Sequence, residues 1–225
     1  MGRVVAQQIV TVDGFAADEQ GELGFFGDGT DWAEVDRRTH AWLGGVERIL
    51  LGANTYRLFV EYWPTAGELL AEPINTTPKT VFSSTLSEAP CGEWRPAEVE
   101  RGDPVQAVRR MTTSSSEDMV VWGSLTLFRA LLAAELIDEL ELRVMPIVLA
   151  AGTPLFTEPA RLALRGVESY EGGVLLTRYH PLSSDSTDIM CIIGAGPGAR
   201  EGAWLLPPLS PSRAPGVWTA GRGAE

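Results

Sequence analysis

Along the first 180 positions, apolar residues fall alternately into short runs and helical stripes. Val4 to Thr11 reads as a strand, broken at Asp13-Gly14 by a glycine-rich loop that continues to Gly29. Trp32, Val35, Thr39, Trp42 and Leu43 share one helical face, which predicts a helix over residues 32–43. Next come a short apolar strand, "RILLG" (residues 48–52), and a helix over 54–62 closed by Trp63-Pro64. Residues 78–83 predict a third strand. Asp103-Pro104 opens a helix, a capping acid followed by proline in the first turn, with Val105, Val108 and Met111 as its buried stripe. A strand over 119–122 stops at Gly123-Ser124, and Leu125, Phe128, Leu131, Leu132 and Leu136 then recur at helical spacing. Residues 139–149 form a longer strand run. Residues 162–170 and 174–180 predict a hairpin that turns at Glu171-Gly172-Gly173.

Strand–helix alternation ending in an antiparallel pair predicts a mixed, mostly parallel sheet with helices on both faces. The composition then changes. From residue 183 to 225 the chain is rich in serine, glycine and proline, including "LLPPLSPSRAPG", and is expected to be a poorly ordered tail beyond a domain of 1–182.

At 225 residues the chain suits one sizeable domain plus such an extension. A net charge of −12 argues against nucleic acid and against anionic membrane surfaces. No apolar run approaches the roughly 20 residues of a membrane helix, and the N-terminus enters a strand pattern directly, without a signal-peptide pattern. Cys91 and Cys191 lie far apart in unrelated contexts, which speaks against a disulfide framework or structural zinc and suits a reducing cytoplasm. His40 and His180 are isolated, so no metal site is expected.

Two places share one design, an apolar strand ending in glycine with a helix beginning at once. The first is "RILLGANTYRLF", with Gly52 at the strand end and Asn54 or Thr55 opening the helix. The second is "MVVWGSLTLFRALL", with Gly123 at the strand end and Ser124 as a natural N-cap. Glycine lets a ligand approach the backbone, and the helix start offers unsatisfied N–H groups and partial positive charge, a usual phosphate site. Such turns are common in α/β proteins, but two at strand C-terminal ends strengthen the reading, because ligands bind there by preference. Ser83 and Ser84 end a further strand in "VFSSTL", either as a polar turn or as ligand contacts.

"VTVDGFAA", "LLGANTYRLFVEYWP", "VFSSTL", "VVWGSLTLFRALLAAELIDELELRVMPIVLAAGTPLF" and the closing hairpin, in this order, resemble the dihydrofolate reductase superfamily. The nearest branch is that of stand-alone proteins similar to the reductase (C-terminal) domain of the bacterial riboflavin-biosynthesis deaminase/reductase. The resemblance covers residues 1–182. It implies a three-layer dihydrofolate reductase-like α/β fold that binds NADPH across the strand ends, and a homodimer. Gly52, Ala53, Asn54 and Thr55 would then meet the pyrophosphate and nearby ribose. Ser83 and Ser84 would flank the adenosine half, and Gly123, Ser124, Leu125 and Thr126 would form the second phosphate cradle. The substrate would sit between the loop of residues 12–16 and the helix of residues 32–43.

The chain departs from the family patterns at several points. Where dihydrofolate reductases carry an arginine for the NADPH 2′-phosphate, this sequence has Ala53, with Arg57 or Lys79 as substitutes, so the choice between NADPH and NADH stays open. Val121 stands where the riboflavin-pathway reductases carry glutamate, and "TYRLFVEYWP" replaces their acidic, proline-containing segment.

The proton that accompanies hydride transfer needs an acid or an ordered water. Asp36 matches the spacing of the dihydrofolate reductase acid, although Arg37 and Arg38 beside it also fit a solvated helix face. Asp13 is a second candidate and a turn former by type. Asp31 reads as a helix cap and His40 as a surface histidine. Trp32, Trp42, Tyr62 and Trp63 suit core packing, with one or two free to line a pocket. "IMCIIGAGPGAREG", with Gly194, Gly196 and Gly198, resembles a dinucleotide fingerprint, yet the prolines after it forbid the βαβ unit that would give it meaning. The expected activity is an NAD(P)H-dependent reductase acting on a small pterin- or aminopyrimidine-like heterocycle; the alternative is a non-catalytic ligand-binding protein of the same fold.

Overall fold

The computed structural model describes residues 2–26 and 32–183. The expected tail, its fingerprint-like glycines, Cys191 and the capping Asp31 lie outside the described residues.

In chain order the elements are β1 (Val4–Thr11), β2 (Phe15–Ala17), α1 (Ala33–Leu43), β3 (Val46–Gly52) and α2 (Ala53–Tyr62). Then come α3 (Ala71–Thr76), β4 (Lys79–Phe82), β5 (Ala89–Cys91), β6 (Trp94–Glu100), α4 (Pro104–Ser114) and β7 (Asp118–Trp122). α5 (Leu125–Ala133), β8 (Glu139–Met145), β9 (Thr153–Pro154), β10 (Arg161–Ser169) and β11 (Leu175–Leu182) complete the described fold. Nine strands form one sheet in the order β10-β11-β8-β1-β7-β3-β4-β6-β5. β8, β1, β7, β3, β4 and β6 run parallel, whereas β11, β10 and β5 enter antiparallel at the two flanks.

Two cores make the three layers. Val4, Ala6, Val10, Met119 and Val121 pack with Val108 of α4 and with Leu127, Phe128 and Leu131 of α5. On the opposite face Ile49, Leu51, Val81 and Val120 meet Leu43 of α1, Tyr56 of α2 and Ile74 of α3. A strand buried on both faces needs apolar residues at consecutive positions rather than alternate ones; β7 has that pattern, and β1 has it apart from the buried Gln7 and Gln8. The predicted mixed sheet, with helices on both sides and a terminal antiparallel hairpin, is therefore the observed architecture. Among the described residues no helix is long and apolar enough to cross a membrane.

Several elements escape the periodicity. β5 is a three-residue edge strand, and its neighbour β6 carries one buried residue among exposed and half-buried ones. α3 spans six residues and has no side-chain cap. β2 and β9 form a separate two-stranded ribbon that joins the loop after β1 to the loop after β8. The strand run expected over 139–149 ends at Met145, because Val12 N–H turns to Ile147 C=O and the chain then bends toward the ribbon. At Gly152 (φ +150°) an added Cβ would lie 2.3 Å from the Ala17 carbonyl oxygen, so this close crossing of the two loops requires glycine.

Phe128 is fully buried where α5 meets the sheet. Phe128→Ala is expected to lower the unfolding free energy by about 3–5 kcal/mol. The exposed Leu58→Ala should shift it by less than about 0.5 kcal/mol. Urea denaturation of the two variants checks this contrast.

Candidate active site

β3 and β7 are neighbours in the sheet, so the two glycine turns at their C-terminal ends meet. The Gly52 N–H donates to Ser124 Oγ at 2.8 Å, and the Ser124 N–H donates to Thr55 Oγ1 at 2.9 Å. Gln8 of β1 adds a third tie, from its Nε2 to the Gly123 carbonyl at 2.8 Å. Gly123 has φ +51°, and a Cβ there would lie 3.3 Å from Thr55 Cγ2. Ser124 follows in the left-handed region at φ 52°, and its side chain caps nothing in its own helix. Ser124 occupies the N-cap position of α5, as expected, but its hydroxyl does not cap that helix: it faces the other turn, where the left-handed backbone directs it toward Gly52.

The consequence is two helix starts, side by side and without side-chain caps. First-turn amides of a helix have no intrahelical acceptor, so those of Ala53, Asn54, Leu125 and Thr126 are the groups suited to phosphate oxygens. Gly52, Thr55, Gly123 and Ser124 fix the geometry of the two turns. The two turns thus bring together eight of the ten residues expected at the cofactor site.

At the end of β4, Ser83 Oγ accepts the N–H groups of Thr85 and Leu86, and Ser84 is exposed. Lys79 is buried, and its ammonium donates to the Asn75 and Thr77 carbonyls at 3.1 and 3.0 Å. Burial holds its pKa below the ordinary lysine value. Lys79 therefore anchors the end of α3, and its proposed role at a 2′-phosphate is withdrawn. Arg57 is exposed on α2, where Nη1 donates to Asn54 Oδ1 at 2.8 Å.

Asp13 is fully engaged. Its carboxylate accepts Thr11 Oγ1–H at 2.6 Å and the Leu149 and Ala150 N–H groups at 3.3 and 2.8 Å. The Thr11 hydroxyl, then the two amides, hold its pKa below the ordinary aspartate value. A group kept ionised in this way is an acceptor, so Asp13 serves as a clamp between loops and is poorly suited to donating a proton. His40 is exposed on α1. His180 Nδ1 lies 2.8 Å from the Asp138 carbonyl oxygen, on β11 and far along the sheet from the glycine turns. Trp42 and Trp63 pack against the second core, and Tyr62, half exposed, bonds Glu68 through its hydroxyl.

Beneath α1 lies a row of polar side chains that the motif reading missed. In register across four strands stand Trp122 on β7, Gln7 on β1, Glu141 on β8 and Arg178 on β11. Trp122 Nε1 donates to Gln7 Oε1, and Gln7 Nε2 donates to Glu141 Oε1 at 2.8 Å. Arg38 of α1 closes on Glu141 Oε2 at 3.2 Å and reaches Glu168 at 3.8 Å. Arg143, two residues beyond Glu141, donates through Nη2 to Thr39 Oγ1 of α1 at 2.8 Å. It is 8% exposed, and its Nε is buried with no acceptor among the described residues. Burial pushes the Arg143 pKa down, while Glu141 and Asp36 oppose that shift; Asp36 therefore lies within the electrostatic reach of this cation. An unsatisfied buried donor costs about 1–3 kcal/mol, more when it is charged. The sequence does carry a signal here: "ELELRVM" puts Glu141 and Arg143 at alternate positions of a strand buried on both faces.

The RibD C-terminal domain family model matches residues 3–176. The chain belongs to that family. A family relative of uncharacterized role, YyaP of Bacillus subtilis (strain 168), is 24% identical over 188 residues, covering 79% of this chain and 94% of YyaP. A structure from Shewanella sp. PV-4, provisionally assigned to riboflavin biosynthesis, gives a TM-score of 0.67 at 21% identity, over 80% of this chain and 99% of that one. A pyrimidine reductase-like protein from Corynebacterium diphtheriae gives 0.57 at 19% identity, over 81% and 92% of the two chains. The Thermotoga maritima deaminase/reductase gives 0.56 at 17% identity, over 80% of this chain but only 57% of its own. At these identities the structural likeness concerns the fold, and the RibD C-terminal domain match carries the family.

The clamp at Asp13 makes a pH prediction. A carboxylate with a depressed folded-state pKa stabilises the fold above its unfolded pKa, and loses that contribution as pH falls through the folded value. Asp13→Asn should therefore lower Tm at neutral pH. The gap to the parent protein should close progressively below about pH 4, the unfolded aspartate value. Thermal melts of both proteins from pH 7 to pH 2 test this.

Proposed function

We propose that the chain is an NAD(P)H-dependent reductase that transfers hydride to a small pterin- or aminopyrimidine-like heterocycle, in the manner of the riboflavin-pathway reductases. The observation that carries this reading is the meeting of two uncapped helix starts at adjacent strand ends in a RibD C-terminal domain. When bound, a reduced nicotinamide supplies the hydride.

The chain's own residues have the remaining tasks. First-turn amides of α2 and α5 hold the phosphates, and the reciprocal bonds among Gly52, Thr55 and Ser124 keep those amides aligned. Ser83 and Ser84 flank the adenosine half, with Arg57 the cation nearest in sequence to the first turn. The loop of residues 12–16 and α1 form the walls around the substrate and exclude water. Asp36, on the half-buried side of α1, is the side-chain candidate for delivering a proton, directly or through an ordered water. A cytosolic setting accords with Cys91, a buried free thiol.

A second reading, a ligand-binding protein without turnover, draws on Ala53 at the arginine position and on Asp36 in the field of Arg143. For assembly we propose a homodimer through the β10–β11 flank, where Leu164, Val167 and Leu175 are exposed. Light scattering should give twice the chain mass; a monomer at micromolar concentration would remove that proposal.

Titration with NADPH and with NADH, followed by nicotinamide fluorescence, tests the reductase reading. Saturable binding is expected. Gly52 has φ −80°, and its Cβ position is in ordinary contact distance of Ser124. Gly52→Asp thus places a carboxylate at the phosphate site without backbone strain, and should weaken binding by tenfold or more, about 1.4 kcal/mol. Binding of neither dinucleotide to the parent protein would overturn the reading. Turnover of pterin or aminopyrimidine substrates then separates the enzyme from the binding protein.

A further inference from the structure

We propose that the sheet carries a second ligand site, at the edge opposite the glycine turns. Its ligand is a small zwitterion, a carboxylate and an ammonium joined by a short carbon chain. The site is independent of the reductase reading.

Arg3, Asp138, Glu139, Arg165, Tyr179 and His180 line a cleft of about 350 Å³ at that edge. Arg3 leads into β1 and Glu139 opens β8, so the cleft lies at the N-terminal ends of these parallel strands. The strand from Arg3 to Gln8, the residue tied to the Gly123 turn, spans about 17 Å.

The floor of the cleft is fixed. The Val4 N–H donates to Asp138 Oδ2 at 2.7 Å, and the Asp138 N–H donates to the Val4 carbonyl at 2.9 Å. His180 Nδ1 donates to the Asp138 carbonyl at 2.8 Å, which leaves Nε2 of the neutral ring as an acceptor. Arg3 is taken by Asp118, from Nε at 3.1 Å and from Nη2 at 2.5 Å.

Two charges of opposite sign remain. Glu139 has only Arg3 Nη1 at 3.6 Å, beyond hydrogen-bond distance. Arg165 has no hydrogen bond or ion pair among the described residues. With 30 acidic residues against 18 basic ones, partners for an arginine are plentiful in this chain. Arg178, opposite Gly166, takes Glu168 at 2.7 Å. Arg165 is instead the extra residue of a β-bulge, where the register of β10 on β11 shifts between Leu164 and Gly166. A bulge re-aims a side chain, and this one brings Arg165 to the cleft of Glu139 without joining the two.

Opposite charges that line one cleft and do not meet select a ligand that carries both. The guanidinium fork takes a carboxylate in two parallel N–H···O bonds. Glu139 and His180 Nε2 accept from an ammonium, and the Tyr179 ring offers an apolar wall to the chain between. A plain anion would meet Asp138 and Glu139, and a plain cation would meet Arg3 and Arg165.

γ-Aminobutyrate, butyrate and n-butylamine are probes of one chain length that carry both charges, the carboxylate alone or the ammonium alone. Each is titrated into the full chain at neutral pH. Binding is read by saturation-transfer NMR and by shifts of the His180 ring protons, told from those of His40 in a His40→Gln variant. γ-Aminobutyrate should bind tighter than either single-charge probe by about tenfold or more. Arg165→Gln should remove its advantage over n-butylamine, and Glu139→Gln its advantage over butyrate, with Tm close to that of the parent. The preference of the parent protein needs no variant and tests the site by itself. Equal binding of the three probes, no saturable binding of γ-aminobutyrate, or its full advantage kept in either variant would overturn the proposal. Binding or failure of NADPH in the same samples bears on the reductase reading alone.

Discussion

A reciprocal pair of hydrogen bonds, Gly52 N–H to Ser124 Oγ and Ser124 N–H to Thr55 Oγ1, holds the ends of β3 and β7 in one arrangement. The placement of α2 and α5 depends on it. Parallel neighbouring strands bring their C-terminal ends to the same edge, but pairing alone leaves the exit direction of each chain undetermined. The left-handed Gly123 and Ser124 turn the second chain so that its hydroxyl reaches the first, and Thr55 answers from the first turn of α2. Neither helix start is capped by its own side chain: α2 has Gly52 at its N-cap, and the Ser124 hydroxyl at the N-cap of α5 accepts the Gly52 N–H instead. A phosphate at these turns, as proposed, would be held by first-turn amides rather than by any charged side chain.

Much of this was legible in the chain. The strands buried on both faces announce themselves by consecutive apolar residues, and the glycine at each strand end marks a helix start. Asp103-Pro104 delivered its cap as written: the Asp103 side chain accepts the Gln106 N–H. Ser124 did not, because a residue type favoured at N-caps says nothing about a left-handed backbone imposed by the glycine before it. Lys79 illustrates a different blindness. A lysine in a short strand reads as a surface cation, whereas its ammonium is drawn inward by two carbonyls at the end of α3, a helix too short to announce itself. The edge strand β5 and its neighbour β6 carry little pattern because only part of each is covered.

The two faces under α1, α2 and α3 differ in kind. Beneath α2 and α3 the sheet presents Ile49, Leu51, Val81 and Val120. Beneath α1 it presents Gln7, Glu141 and Arg143. Burying such groups is unfavourable unless partners satisfy them, and a network of this kind specifies one arrangement of helix on sheet more sharply than apolar contact does. The half of the sheet that is purely apolar faces α2 and α3; the half that carries charge faces α1. Polar and apolar packing are thus segregated across a single sheet face by the identity of alternate residues in two strands.

The ribbon of β2 and β9 joins the loop after β1 to the segment after β8, and Asp13 ties the same two stretches together through Leu149 and Ala150. Arg129 of α5 extends the link, from Nε to the Leu155 carbonyl at 3.0 Å and from Nη2 to that of Pro154. These contacts tie residues 12–17, residues 147–155 and α5 into one cross-linked body, so a change in either loop is transmitted to the helix that starts at the second glycine turn.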